Sequence, residues 1–176
     1  NVLAIASITI RVDGDDPYIT SSSLAPIDWT RDNATVTYSA GDNTSGIAAV
    51  CASVWGDSRT VCSSNSNSPG AIVLPAAWFF SGNLTVILQA RDHAGRHSAS
   101  ETLHWLLDRN QPVIAIGTGL NSSDPYLLDA SDLYLNVTGN DLHSGCDEVE
   151  LFLGGGHVGT VSCSEANYSV PAASTS

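Results

Sequence analysis

Residues Ile8 to Ile19 read I-T-I-R-V-D-G-D-D-P-Y-I, and residues Leu103 to Ile114 read L-H-W-L-L-D-R-N-Q-P-V-I. Each copy runs from an apolar stretch to an Asp, three further residues, a Pro and an apolar residue. The Asp and Pro are Asp13 and Pro17 in one copy and Asp108 and Pro112 in the other, an offset of 95 residues. Further matches lie around this pair. V-T-Y-S-A-G-D-N-T-S-G from Val36 to Gly46 recurs as L-N-V-T-G-N-D-L-H-S-G from Leu135 to Gly145. T-V-C-S from Thr60 recurs as the T-V-S-C that ends at Cys163, and L-P-A-A from Leu74 recurs as V-P-A-A from Val170. A period of about 95 to 100 residues, filled with short apolar stretches and turn clusters, is far longer than a solenoid repeat and suits one β-sandwich per repeat.

Composition points the same way. Of 176 residues, 43% are hydrophobic and 14% charged, enough to bury ordinary cores and unlike a disordered tail. The acidic excess is 14 Asp against 4 Glu, and Asp favours turns and caps where Glu favours helix interiors. Lys and Met are absent, which removes common helix-face residues, so an all-β chain with almost no helix is expected. Strands are expected near residues 18 to 22, 34 to 40, 47 to 55, 58 to 63, 71 to 74, 84 to 91 and 98 to 107. Alternation places Leu84, Val86, Leu88 and Ala90 on one face, Val36 and Tyr38 on another, and Leu133, Leu135 and Val137 on a third.

The repeat divides the chain unequally. Residues 1 to 13 match the last strand of a unit with no sandwich before it, 14 to 109 form a complete sandwich, and 110 to 176 match the first unit only as far as its Leu74-Pro75 stretch. The chain starts at Asn1 without Met, so a processed chain or a segment of a longer one is expected.

The net charge of −12 repels phosphate backbones and anionic lipid surfaces, so nucleic acid is not an expected partner. No apolar run approaches the ~18 residues of a membrane span, and no membrane insertion is expected in this segment. Six N-x-[S/T] sequons occur, at Asn33, Asn43, Asn83, Asn121, Asn136 and Asn167, where composition predicts roughly two by chance. That excess points to N-glycosylation and a secreted or cell-surface location; the plainer reading is that Asn, Ser and Thr share turns. Asn83 and Asn136 fall on the parity opposite their apolar neighbours, as a glycan-bearing strand residue must.

Four cysteines without a paired C-x-x-C do not make a zinc signature, and they allow three disulfide pairings. Equivalence within the repeat selects Cys51 with Cys62 and Cys146 with Cys163, each closing a local hairpin; four free buried thiols are the alternative.

The segment A-R-D-H-A-G-R from Ala90 to Arg96, then an apolar strand, Asp108, three residues and Pro112-Val113-Ile114, resembles the tandem immunoglobulin-like repeats of bacterial-type surface proteins. The Ser45-Gly46 and Ser144-Gly145 pairs after Asp42 and Asp141 are similar to that family too. Arg96 replaces the family's usual Asn, and the cysteines and dense sequons are departures that point to a eukaryotic secreted relative. The resemblance implies an elongated extracellular rod of tandem Ig-like β-sandwiches; neither a substrate nor a partner transfers with it. The second sandwich is incomplete within this chain by the repeat alone, and from those unequal ends the expected partners are copies of itself or flanking Ig-like domains.

Asp13, Asp42, Asp92 and Asp108 sit at turns or junctions and offer carboxylates of the kind calcium takes, but no D-x-D-x-D-G loop exists and single Asp residues commonly cap turns. His93 and His97 have a metal-like spacing that would need a helix, which Gly95 between them disfavours. No metal ligand and no cofactor is therefore assigned. Without a G-x-S-x-G elbow, a phosphate-cradling loop or paired acids in context, no catalytic residue is assigned either. Trp29, Trp55, Trp78 and Trp105 are read as packing residues, with a sugar-stacking platform as the alternative. The expected function is a non-enzymatic structural glycoprotein of an extracellular stalk, fibre or cell-surface filament, in which residues 1 to 12 of one copy complete the second domain of the next by head-to-tail strand donation. Other readings are an adhesion or carbohydrate-binding module and, third, an enzyme accessory domain.

Overall fold

A computed structural model describes residues 9, 11–63, 68–118, 133–163 and 168–170. The described chain is all-β, with several antiparallel sheets and a single 3-10 turn at Ala76–Trp78. It divides into two compact units, the first ending at Leu107 and the second beginning at Asp108.

The first unit holds β1 (Tyr18–Ala25), β2 (Ala34–Gly41), β3 (Ile47–Val54), β4 (Thr60–Ser63), β5 (Gly70–Leu74), β6 (Gly82–Asp92) and β7 (Glu101–Leu107). These make a three-stranded sheet in the order β1-β2-β5 and a four-stranded sheet in the order β4-β3-β6-β7. Alternation explains why one face of each sheet is dry. Ala34, Val36, Tyr38 and Ala40 are buried along β2, and Val86, Leu88 and Ala90 along β6. Both sets join one core with Ile72 and Leu74 of β5, Val50 of β3 and Trp105 and Leu107 of β7. Burying such side chains is worth roughly 1.5–3 kcal/mol each.

The second unit holds β8 (Val113–Thr118), β9 (Leu133–Asn140), β10 (Glu148–Leu153), β11 (Gly156–Ser162) and β12 (Tyr168–Val170). The sheet β12-β9-β8 reproduces the order β5-β2-β1, and the hairpin β10-β11 reproduces β3-β4. Its core contains Val137, Val149, Leu151 and Val161. Val137 follows the expected alternation of β9.

Two differences from the sequence reading have physical causes. β1 continues to Ala25 through Ser21, Ser22 and Ser23, which carry no apolar alternation but are paired with β2 through the backbone as far as Ala25↔Thr35. Residues 11 to 17 are not a strand; the terminal strand expected over residues 1 to 13 otherwise lies outside the described residues, Thr9 excepted.

Candidate functional site

Both disulfides join the cysteines that are equivalent in the repeat, Cys51 to Cys62 and Cys146 to Cys163. Cys51 and Cys62 face each other in the register of β3 and β4. In the second unit the bond lies against Gly139 of β9, where an added Cβ would come within 2.5 Å of the Cys146 sulfur.

Among the sequons, Asn33, Asn43, Asn83 and Asn136 are exposed, whereas Asn121 and Asn167 lie outside the described residues. Asn33 also accepts the Ala76 backbone N–H through Oδ1 at 2.9 Å, a bond that leaves its amide nitrogen available.

Strand register gathers three of the four turn aspartates. Tyr18 pairs with Gly41, so the segment before β1 runs beside the β2–β3 turn. Ile47 pairs with Asp92, so the β2–β3 turn also meets the β6–β7 turn, and the His93 N–H donates to the Gly46 carbonyl at 3.1 Å. One carboxylate oxygen from each of Asp13, Asp42 and Asp92 consequently lies within 4.8 Å of the others.

Each of these carboxylates is held by backbone on one side. Asp42 Oδ1 accepts the N–H groups of Thr44, Ser45 and Gly46 at 3.0, 2.7 and 2.7 Å. Gly46 closes that loop with φ +79°, a left-handed conformation that a side chain would strain. Burial pushes the Asp42 carboxyl up, but the donors at Gly46, Thr44 and Ser45 outweigh it and hold it below the ordinary carboxylate value. Asp13 Oδ1 accepts from the Asp15 N–H and Asp92 Oδ1 from the Arg96 N–H. The second oxygen, Oδ2, is buried in all three and has no hydrogen-bond partner among the described residues.

The second unit contains the equivalent turn. Asp141 Oδ1 accepts from the N–H groups of His143 and Ser144 at 2.9 and 3.0 Å, and Gly145 has φ +80°. Asp108, the counterpart of Asp13, is packed here rather than with the trio. His93 and His97 are exposed in the β6–β7 turn, on no helix.

The tryptophans divide. Trp105 is fully buried and meets Phe79 edge to face at 5.8 Å between ring centroids. Trp55, by contrast, is 75% exposed in the β3–β4 turn, and Phe80, 92% exposed, follows Trp78 between β5 and β6. Arg59 joins those two loops: it donates to the Trp78 carbonyl and lies 5.6 Å from the Trp78 ring centroid. Its guanidinium also pairs with Asp57 and holds that carboxyl down to about 2.

Sequence reasoning named the trio's members but not their meeting. One signal was present. Asp92 shares the parity of Val86, Leu88 and Ala90, so β6 carries it onto the core face, where it is 1% exposed.

No protein-family model, no curated protein and no solved structure matches this chain. Among the described residues, no helix is long and apolar enough to cross a membrane.

Proposed function

We propose that this chain is a non-enzymatic structural glycoprotein of the cell exterior, built from tandem immunoglobulin-like β-sandwich repeats in a stalk, fibre or cell-surface filament. The observation that carries this reading is the recurrence of one strand order, β1-β2-β5 with β3-β4, as β8-β9-β12 with β10-β11. Three strands facing four around one core, with consecutive strands exchanged between the sheets, is the arrangement of Ig-like and fibronectin-type sandwiches. A local disulfide in each unit favours an oxidising compartment. Exposed sequons on β6 and β9 favour glycans that project from the sheets.

Assembly through strand pairing has its own support. β3 pairs with β4 on one side and β6 on the other, whereas β10 pairs with β11 and with no other described strand. An open edge of this kind accepts a strand, from a flanking Ig-like repeat or from residues 1 to 12 of another copy. Donation between copies is heterologous and propagates head to tail.

Expression through a secretory pathway tests the reading. Intact mass before and after deglycosylation is expected to show several occupied sequons, and a chain of bare polypeptide mass overturns it. Light scattering compares the full chain with one lacking residues 1 to 12; donation predicts assembly only of the full chain, and identical states for the two overturn that part.

An adhesion or carbohydrate-binding module is the second reading, favoured by the exposed Trp55 and Phe80 beside Trp78 on two adjoining loops. Saccharides that quench tryptophan fluorescence in the intact chain but not in Trp55→Ala would support it over the structural reading.

A further inference from the structure

We propose that the first sugar of a glycan on Asn83, an N-acetylglucosamine, packs against the exposed rings of Trp55 and Phe80 and so braces the β3–β4 turn against the entry to β6. The inference rests on the secreted-glycoprotein reading and names what one of its glycans does. Strand register is the first support. Val54 of β3 is paired with Val86 of β6 and both are buried, so their neighbours Trp55 and Thr85 belong to the outer face of that sheet. The Trp55 N–H donates to the Thr85 carbonyl at 2.8 Å, and Trp55 is 75% exposed. Asn83 has the parity of Thr85 and is exposed. Both polar residues of the sequon Asn83-Leu84-Thr85 therefore sit on the face that carries Trp55. Asn83 is diagonal to Trp55 across the pair, a separation of about 7–8 Å that a ring-bearing substituent spans.

The second support lies on the other side of the sequon. Phe79 has an extended backbone, φ −121° and ψ 158°, and is buried against Trp105. Alternation then sends Phe80 outward, where it is 92% exposed. In F-S-G-N-L-T from Phe80 to Thr85, Asn83 follows Phe80 by three residues, at most about 11 Å of chain. Gly82, with φ +152°, turns that chain into β6. The other rings of these loops are already engaged: the Arg59 guanidinium lies over Trp78 and Phe79, and Phe79 also meets Trp105. No ring or cation lies against Trp55 or Phe80 among the described residues.

Chemistry selects the occupant. One face of a pyranose presents C–H bonds of slight positive charge, and an aromatic ring presents a negative π-face to meet them. An N-glycan is tethered to its Asn through N-acetylglucosamine, so this ring is the one held nearest to Trp55 and Phe80. Being tethered, it reaches the rings without the translational cost that a free saccharide incurs. Covering the two rings also takes exposed apolar surface out of water. The sequon on β9 provides a contrast, since the cross-strand partner of Asn136 is Gly117, which offers no ring.

The test uses the full chain from a secretory host, with glycopeptide mapping to read occupancy at Asn83 and thermal melting to read the packing. Expected are an occupied Asn83, a melting temperature unchanged when an endoglycosidase trims every glycan to its first sugar, and a loss of a few degrees in Asn83→Gln. Phe80→Ala and Trp55→Ala should each cost the glycosylated parent a few degrees and cost Asn83→Gln far less, while in Asn136→Gln they should cost as much as in the parent. Phe80→Tyr and Trp55→Phe, which keep a ring, should melt as the parent does. Trp55, Phe80 and Asn83 are all exposed, so these substitutions leave the core intact. Equal losses at both rings with and without the Asn83 glycan overturn the proposal. Quenching of Trp55 fluorescence by free saccharides in the glycosylated parent shows open rings and overturns it too. An empty Asn83 beside other occupied sequons overturns it while the glycoprotein reading stands, whereas a chain with every sequon bare removes both.

Discussion

Ser144 donates its backbone N–H to Asp108 Oδ2 at 2.9 Å, tying the first residue of the second unit to the turn that follows β9. The Asn110 N–H donates to the other oxygen at 3.0 Å. Burial pushes the Asp108 carboxyl up, but the donors at Ser144 and Asn110 prevail and hold it below the ordinary value.

This sets an acid limit on stability. A carboxyl whose folded pKa lies below its unfolded value stabilises the fold above the unfolded value, and that contribution is lost as pH falls through the folded one. Asp42 and Asp108 are both lowered, and Asp57 falls from 3.8 to about 2. Urea midpoints should therefore change little from neutral pH down to about 5 and decline between about 4 and 2. Asp108→Asn should soften that decline, and an unchanged acid profile would count against the Ser144 and Asn110 contacts.

Gly139 lets β9 pass the second disulfide. A Cβ there would approach the Cys146 and Cys163 sulfur atoms at 2.5 and 2.8 Å. Gly139→Ala should cost about 1–3 kcal/mol by overpacking, measured by urea denaturation. Gly14→Ala, with nothing within 4 Å of its added Cβ, is the control and should change stability far less.

Parity along β6 predicts unequal neighbours. Leu88 is fully buried in the core, whereas Ile87 faces the other side and is half-buried. Leu88→Ala should lose about 2–5 kcal/mol and Ile87→Ala about 1 kcal/mol or less. Equal losses would mean that the core does not lie on the Val86, Leu88 and Ala90 face.

The Cys51–Cys62 bond closes a short loop, with a sequence separation of 11. Replacing both cysteines by Ala should cost about 3 kcal/mol through the freed unfolded chain. Peptide mapping of the parent chain without reduction should recover Cys51–Cys62 and Cys146–Cys163, and a mixed pairing would contradict the register of β3 and β4.

The strands were legible because a strand's signal is local. Val36 and Tyr38, or Val86, Leu88 and Ala90, alternate whatever lies opposite, and the repeat fixed which cysteines correspond. The serine run of β1 was only partly legible, since its pairing rests on backbone bonds that any side chain permits. The meeting of Asp13 with Asp42 and Asp92 was not legible, because their separations along the chain say nothing about which turns adjoin.

From sequence alone, the order of short strands, the repeat of about 95 to 100 residues and the acidic, Asp-rich turns could be read, since each depends on residues near one another or on self-comparison. Tertiary structure alone decided that Tyr18 opposes Gly41 and that Ile47 opposes Asp92. Those two registers carry three carboxylates to one end of the first unit. In the second unit, the turn after β9 brings the Ser144 amide to Asp108 instead. Similar motifs thus end in different chemistry, because whether a buried oxygen finds a donor depends on the long-range packing of turns.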